Sequence, residues 1–439
     1  HRGSWLLENS PWMEERFRQS LRCAILRDRN HVSVVMWGLL NECPTPWVKD
    51  NGAVFEAAVN SLGMIREIDP GRLVWLHSGR WDCRLDIGSA ANPDSGQWQC
   101  LLGQEDPTNP PKTEITSQQI PPHRGQVAAY VPGAGDVHIY PRAPHDAEII
   151  KLLRTAGEGG RNIYVSEYGI ASGVDLSRLA RQFEQRADAQ VYYKQRATFR
   201  QRLEQFQADW ERWNMAEVFG RPEDFFRQCQ AKMAGQRTLG FNAIRANPHI
   251  NGVNLTGALD HGQTGEGVAN TYFREWKPGA FEAMFDGFYP LRWCLFTEPV
   301  HVYRGAAIRL EAVLANEDVL AAGEYPARLE VFDAGRQVVF SRKIQVKVPG
   351  AADGVEPPLA FGVFSEEVRA DWPEVDPGPR GFATADGCVV TARFPDAIRH
   401  LLEAAGVQQS PVPTDAIVRR LMWLYQPDPG NRLIAWHPQ

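Results

Sequence analysis

Two glutamates stand where a carboxylate could do chemistry. Glu42 closes a near-continuous apolar run, residues 32–40, through Asn41, and Glu167 closes a second strand-like segment, residues 162–166. Runs of this texture read as strands buried on both faces, as in parallel sheets. In barrels of parallel strands the residues at the C-terminal strand ends face the active site. Two carboxyls brought together there are the minimum equipment for hydrolysing a glycosidic bond, one protonating the leaving oxygen and the other attacking carbon or activating water. About 125 residues separate them, room for three further strand–helix units with one enlarged loop. A lone glutamate at a strand end is more often a neighbour of a helix cap or a surface charge; two at matched positions carry the weight.

Other polar residues fall at comparable places. His77 and Trp81 follow the strand-like residues 73–76, and Trp81 could stack on a sugar ring. His138 and Tyr140 end a short strand, residues 136–140; Tyr140 could orient Glu167, and the plain alternative is a buried histidine and a core tyrosine. Asp260 and His261 follow the strand-like residues 252–256, where either could meet a substrate. Trp37 and Trp75 read as core.

The elements that must position these groups alternate. Ser10 and Pro11 suit a helix N-cap and first turn, and Met13, Phe17, Leu21 and Ile25 follow on one face. Strand- and helix-like segments then succeed each other to about Tyr289, the pattern of a parallel sheet with helices outside. A loop rich in Gly, Pro, Asn and Gln runs from about Ser78 to Gly135. The helical residues 175–215 and 223–246 are loaded with Gln, Arg and Glu, a solvated outer face or an oligomer contact, with Leu179, Phe183, Tyr192, Phe199, Leu203 and Phe206 turned inward. After Pro290 the period changes to two in residues 307–314 and 327–332, and residues 333–336 before Val338 read as a hairpin turn. That is the texture of an antiparallel β-sandwich. From Gly350 onward Pro, Gly and Asp dominate, with a helix expected over residues 395–405.

Bulk properties exclude several classes. The 439 residues carry 47 basic and 53 acidic side chains, well mixed, for a net charge of -6. No basic run suggests nucleic acid as a partner, and no apolar stretch approaches the ~20 residues of a membrane helix. The 7 cysteines are odd in number and scattered, without metal-ligand or disulfide-framework spacing. No metal and no cofactor is expected.

Residues 27–42, RDRNHVSVVMWGLLNE, resemble the acid/base signature of glycoside hydrolase family 2, and residues 165–169, VSEYG, resemble its nucleophile segment. Residues 136–140 look like the strand before the nucleophile, and the tract around LANED and GEYP looks like the domain after the barrel. The resemblance covers about residues 10–345 and implies a fold of the α/β class: a partial TIM (β/α)8 barrel, strands four to eight, over residues 1–290. An antiparallel immunoglobulin-like β-sandwich would follow over 291–350, and an unassigned mixed tail over 351–439. It implies a retaining glycosidase of β-linked glycosides, with a carbohydrate substrate, Glu42 as acid/base and Glu167 as nucleophile, and Asn41 bonded to the sugar 2-hydroxyl. Two departures stand out: residues 254–260 hold no aromatic where the family commonly carries a Trp, and no Asn-x-Lys motif for a glucuronate carboxylate is found. With strands one to three missing, the chain is expected to be a fragment that does not hydrolyse glycosides alone. The rival expectation is a non-catalytic carbohydrate-binding or interaction protein on a glycosidase scaffold, with a homo-oligomer open to the Arg/Gln-rich helices.

Overall fold

The computed structural model of the chain describes residues 10–41, single positions within 54–60, 61–78, 135–158 save 142 and 144, 163–185, 193–260, 265–299 save 271 and 273, 305–332, 337–369, and short strands between 382 and 425. The chain divides into two compact units. One comprises His1–Pro141, Thr155–Tyr168 and His249–Leu255, the other Arg142–Arg154, Gly169–Pro248 and Thr256–Gln439.

In the first unit, α1 (Met13–Asp28) begins two residues later than expected. Residues 11 and 12 form a turn instead, closed by the Met13 N–H donating to the Ser10 carbonyl at 3.0 Å. Glu14 and Glu15 in the first turn and Arg27 in the last match the helix dipole. Its apolar face is the one the spacing gives: Met13 and Ile25 are buried, and Phe17 and Leu21 pack against the same cluster as Leu40, Leu62, Ile65 and Val74. Strand β1 (Met36–Asn41), helix α2 (Leu62–Ile68) and strand β2 (Leu73–Ser78) follow, and β1 pairs with β2 in parallel, from Met36 opposite Leu73 to Asn41 opposite Ser78.

The apolar run before Glu42 does not all become strand. Val32 is 96% and Val35 73% exposed, and β1 starts only at Met36. The main chain turns at residues 31–34, where the Val34 N–H donates to the His31 carbonyl at 3.1 Å. Arg72 holds that turn from outside, its guanidinium donating to the carbonyls of Val34 (2.5 Å) and His31 (3.2 Å). Asp69 anchors Arg72 at 2.8 Å and also accepts the Trp37 indole N–H at 2.8 Å. Trp37 is therefore part of a polar clamp as well as of the core.

Strands β3 (Gly135–Ile139), β4 (Ile163–Tyr168) and β5 (Ile250–Leu255) form a second parallel sheet with β4 in the centre. In β4, Ile163, Val165 and Tyr168 are fully or almost fully buried, as a central parallel strand requires.

The second unit holds α3 (Ala147–Thr155, save its last residue), α4 (Leu176–Gln185), α5 (Tyr193–Arg212), α6 (Ala216–Phe219), α7 (Pro222–Arg245) and α8 (Ala280–Gly287). Leu179, Phe183 and Phe199 form a buried cluster joined by Tyr272. Phe206 packs on Phe225, Phe226 and Trp210. Pro222 starts α7, with Glu223 and Asp224 in its first turn.

Strands β6 (Leu291–Glu298), β7 (Ala307–Asn316), β8 (Gly323–Phe332), β9 (Val338–Val348) and β10 (Ala360–Arg369) are antiparallel, in one sheet ordered β10-β7-β6 and another in which β8 pairs with β9 and with a later strand. The two sheets share one core: Trp293, Leu295, Leu310, Leu314, Leu329 and Val346 lie in it together. Strand β10 extends this architecture past residue 350, pairing with β7 from Ala360 opposite Ala315 to Arg369 opposite Ala307. Its sequence, AFGVFSEEVR, follows a Pro- and Gly-rich stretch that masks the alternation. Farther on, β11 (Phe382–Ala385) pairs with β14 (Met422–Tyr425), and β12 (Val389–Arg393) with both β8 and β13 (Val418–Arg419). The helix expected over residues 395–405 lies outside the described residues.

Buried polar contacts join α7, α8 and β6. The Arg292 side chain is 1% exposed and pairs with Asp286 at 2.6 Å. It also donates to Asn242 Oδ1 at 2.6 Å, while the Asn242 amide donates to the Leu295 carbonyl at 2.9 Å.

Asp69 gives a testable consequence. Burial pushes its carboxyl pKa up, but the hydrogen bonds from Trp37 and Arg72 outweigh this and hold it below the ordinary carboxylate value. A depressed folded-state pKa means its stabilisation is complete above the unfolded value of about 3.9 and disappears as pH falls through the folded value. Asp69→Asn is expected to cost about 1–3 kcal/mol at pH 7, a deficit that shrinks below pH about 3.9, measured by urea denaturation followed by tryptophan fluorescence.

Candidate active site

Glu167 is the second-last residue of β4, and the register of β3 on β4 sets His138 beside it. Residues i and i+2 of an extended chain point to the same side, so His138 and Tyr140 reach the same carboxylate. His138 Nδ1 lies 3.3 Å from Glu167 Oε2, and the Tyr140 hydroxyl donates a short hydrogen bond to that same oxygen. The His138 side chain is 1% exposed and that of Glu167 14%, so the carboxylate stands at the rim of a buried wall. A carboxylate gripped from one side in this way has its rotamer fixed while its carboxyl group still reaches solvent.

The other expected site residues are distributed as follows. Asn41 is the last residue of β1 and pairs with Ser78; His77 pairs with Leu40. Glu42 and Trp81 lie outside the described residues. The structure therefore brings together Glu167, His138 and Tyr140 of the expected set.

Asp260 belongs to the second unit and is buried. Its carboxylate accepts the Gly267 N–H at 2.9 Å and forms a short ion pair with Lys277 Nζ. Lys277, 1% exposed at its side chain, also donates to the Gly265 carbonyl at 2.5 Å and to Ser172 Oγ at 3.3 Å. Burial lowers the Lys277 pKa, opposed by Asp260. A side chain at Gly267 would collide with the backbone of Leu259 and Asp260, so glycine is needed for this close approach. Asp260 thus staples its own loop, and it also lines a cavity of about 310 Å³ together with Arg178, Tyr272, Glu275 and Trp276.

Sequence reasoning missed Lys277, Tyr272, Trp276 and the Arg178–Glu275 pair. They come from loop-to-loop and loop-to-helix contacts, which leave no periodic trace; the exposed Trp276 next to Lys277 and Pro278 was the one compositional signal. Among the described residues no group of three or more His, Cys, Asp or Glu side chains could hold a metal ion, and no helix is long and apolar enough to cross a membrane.

Residues 5–94 match the family model of the glycosyl hydrolases family 2 TIM barrel domain, a segment that includes Glu42 and the whole of the run before it. The family-level resemblance is thereby supported. Among solved structures, the chain is similar to a β-D-mannosidase from Dictyoglomus thermophilum, at 12% identity and a TM-score of 0.47 over 88% of this chain and 39% of that one. It is also similar to a Bacteroides uniformis β-glucuronidase, at 12% identity and a TM-score of 0.33 over 84% of this chain and 38% of that one. The chain thus spans well under half the length of either. No curated protein matches it.

The Asp260–Lys277 pair can be tested by stability. Lys277→Met leaves a buried carboxylate without its cation and is expected to cost about 3–5 kcal/mol. Adding Asp260→Asn should recover part of that loss, read as a coupling energy in a double-mutant cycle.

Proposed function

We propose that the chain carries the catalytic machinery of a retaining glycosidase acting on β-linked glycosides, with Glu167 as nucleophile and Glu42 as acid/base. The observation that carries this reading is the Glu167 carboxylate, held by Tyr140 and His138 near the C-terminal end of a central parallel strand. The family model over residues 5–94 supports it, because glycosyl hydrolases are what that model describes. In this reading β1 to β5 serve as strands four to eight of a (β/α)8 barrel, residues 1–290. The antiparallel sheets that follow are an immunoglobulin-like sandwich.

The chemistry follows from two carboxyls in different states. Glu42, protonated at rest, gives its proton to the leaving oxygen as Glu167 attacks the anomeric carbon. Forming the glycosyl-enzyme removes the negative charge of Glu167, so Glu42 becomes more acidic and then takes a proton from the incoming water. Retention needs the two carboxyls about 5–5.5 Å apart; about 6.5 Å or more would mean inversion. Tyr140 holds Glu167 in the attacking rotamer, and Asn41, next to Glu42, is the donor for the sugar 2-hydroxyl. The lack of an aromatic in residues 254–260 means that any stacking platform comes from another part of the chain.

Two measurements on the natural full-length product test this. A 2-deoxy-2-fluoro β-glycoside should form a covalent adduct that peptide mapping places on Glu167, and Glu167→Ala should abolish it; binding of sugars across a broad panel without any adduct would instead favour a carbohydrate-binding protein. Tyr140→Phe should lower kcat/KM by about 10- to 100-fold through kcat, and slow the labelling of Glu167 in parallel.

A further inference from the structure

The cavity of about 310 Å³ lies wholly within the second unit, walled by the first turns of α4 and α7 and by the loop between β5 and α8. Its volume is at the lower end of ligand pockets, about 300–1,000 Å³, and suits one six-membered ring. Two aromatic residues contribute to it in different ways. Tyr272 is locked edge-on against Phe183 (5.3 Å, 77°) and Phe199 (5.9 Å, 90°), so its ring cannot swing away. Trp276 is 66% exposed, its ring 5.4 Å from that of Phe281, itself 50% exposed. Tryptophan is highly buried on average, and here the indole presents an open apolar face at a pocket instead of filling a core.

The polar side of the pocket is equally built. Arg178 donates both of its terminal nitrogens to Glu275, at 2.7 and 2.9 Å, giving a flat fork-to-fork pair at the surface. This pair lowers the Glu275 pKa and keeps it ionised at neutral pH. Asp175 caps α4 by accepting the Arg178 N–H at 2.9 Å. Asp175, Glu223, Asp260 and Glu275 line the cavity together with Arg178 and Arg227. Arg178 is matched to Glu275, Lys277 to Asp260, and Arg181 to Glu223 at 3.9 Å, so carboxylates and cations around the pocket balance.

We propose that this cavity binds a neutral pyranose ring of an oligosaccharide, stacked on Trp276 and hydrogen-bonded at its rim by the Arg178–Glu275 fork. The axial C–H bonds of a pyranose make an apolar face that fits an exposed indole, and its vicinal hydroxyls need adjacent donors and acceptors in one plane. With its charges balanced, the pocket has no excess of positive charge to hold a uronate, a phosphate or a sulfate. A cationic ligand is disfavoured in turn by the two arginines on the same walls. The choice of sugar as ligand rests on the glycosidase reading; the pocket and its chemistry do not.

The test uses the full-length Glu167→Ala protein, which cannot turn substrate over. Cellobiose, β-1,4-mannobiose and β-1,4-galactobiose are titrated by tryptophan fluorescence and saturation-transfer NMR, with cellobiouronic acid as the charged counterpart. At least one neutral disaccharide should bind, at least 10-fold more tightly than the uronate, and Trp276→Ala should weaken that binding at least 10-fold with an unchanged Tm. Phe281→Ala, on the same exposed surface, should weaken it less. No neutral binding, equal binding of the uronate, or binding indifferent to Trp276→Ala each overturns the proposal. Covalent labelling of Glu167 in the protein that retains this residue separates the two ideas: labelling without Trp276-dependent binding removes this pocket and leaves the glycosidase, whereas Trp276-dependent binding without labelling does the reverse.

Discussion

Parallel pairing is the constraint on which the rest depends. Strands that run the same way deliver their last residues to one edge, and this pairing brings His138 and Tyr140 to Glu167, 27 residues or more along the sequence. The pairing of β3 with β4 sets the register, the shift between Val137 and His138 adjusts it, and the alternation of side chains does the remainder. The hydroxyl and the imidazole then converge on a single carboxylate oxygen. That arrangement needs no long-range electrostatics, only a buried strand on which Ile163, Val165 and Tyr168 leave no freedom to slip.

The second unit is organised differently, around charges taken out of water. Arg292 with Asp286, and Lys277 with Asp260, are pairs whose burial would be costly if either partner stood alone. Each pair is supplied with further partners: Asn242 for Arg292, and Gly265, Gly267 and Ser172 for the lysine and its aspartate. These contacts contribute little as an energy sum but tie helix to strand and loop to loop in one arrangement. The apolar core between the antiparallel sheets supplies the bulk of the stabilisation, with Leu310, Leu314, Leu329 and Val346 wholly shielded from solvent.

Much of this was legible in the sequence where local periodicity is the cause. The face of α1, the buried strand before Tyr168, the inward Leu179, Phe183 and Phe199, and the alternation of β7 and β8 all follow from spacing alone. Where a contact between distant residues decides, spacing misleads. Residues 32–35 read as strand by composition, yet the chain turns there, with Arg72 bonded to the carbonyls of His31 and Val34. Strand β10 was hidden by its Pro- and Gly-rich approach, and its place is set by the free edge of β7. At the site, Glu167, His138 and Tyr140 could be named because strand ends announce themselves. The Tyr272 and Trp276 pocket could not, since its walls are three segments that meet only in the fold.

Arg72 grips main-chain oxygens, and every residue type offers the same main-chain oxygen. The turn before β1 is therefore indifferent to which side chains occupy positions 32 and 35, both of which point into water. Evolution is free to drift at those positions, while a change at Arg72 itself would be felt along the whole segment that leads to Asn41.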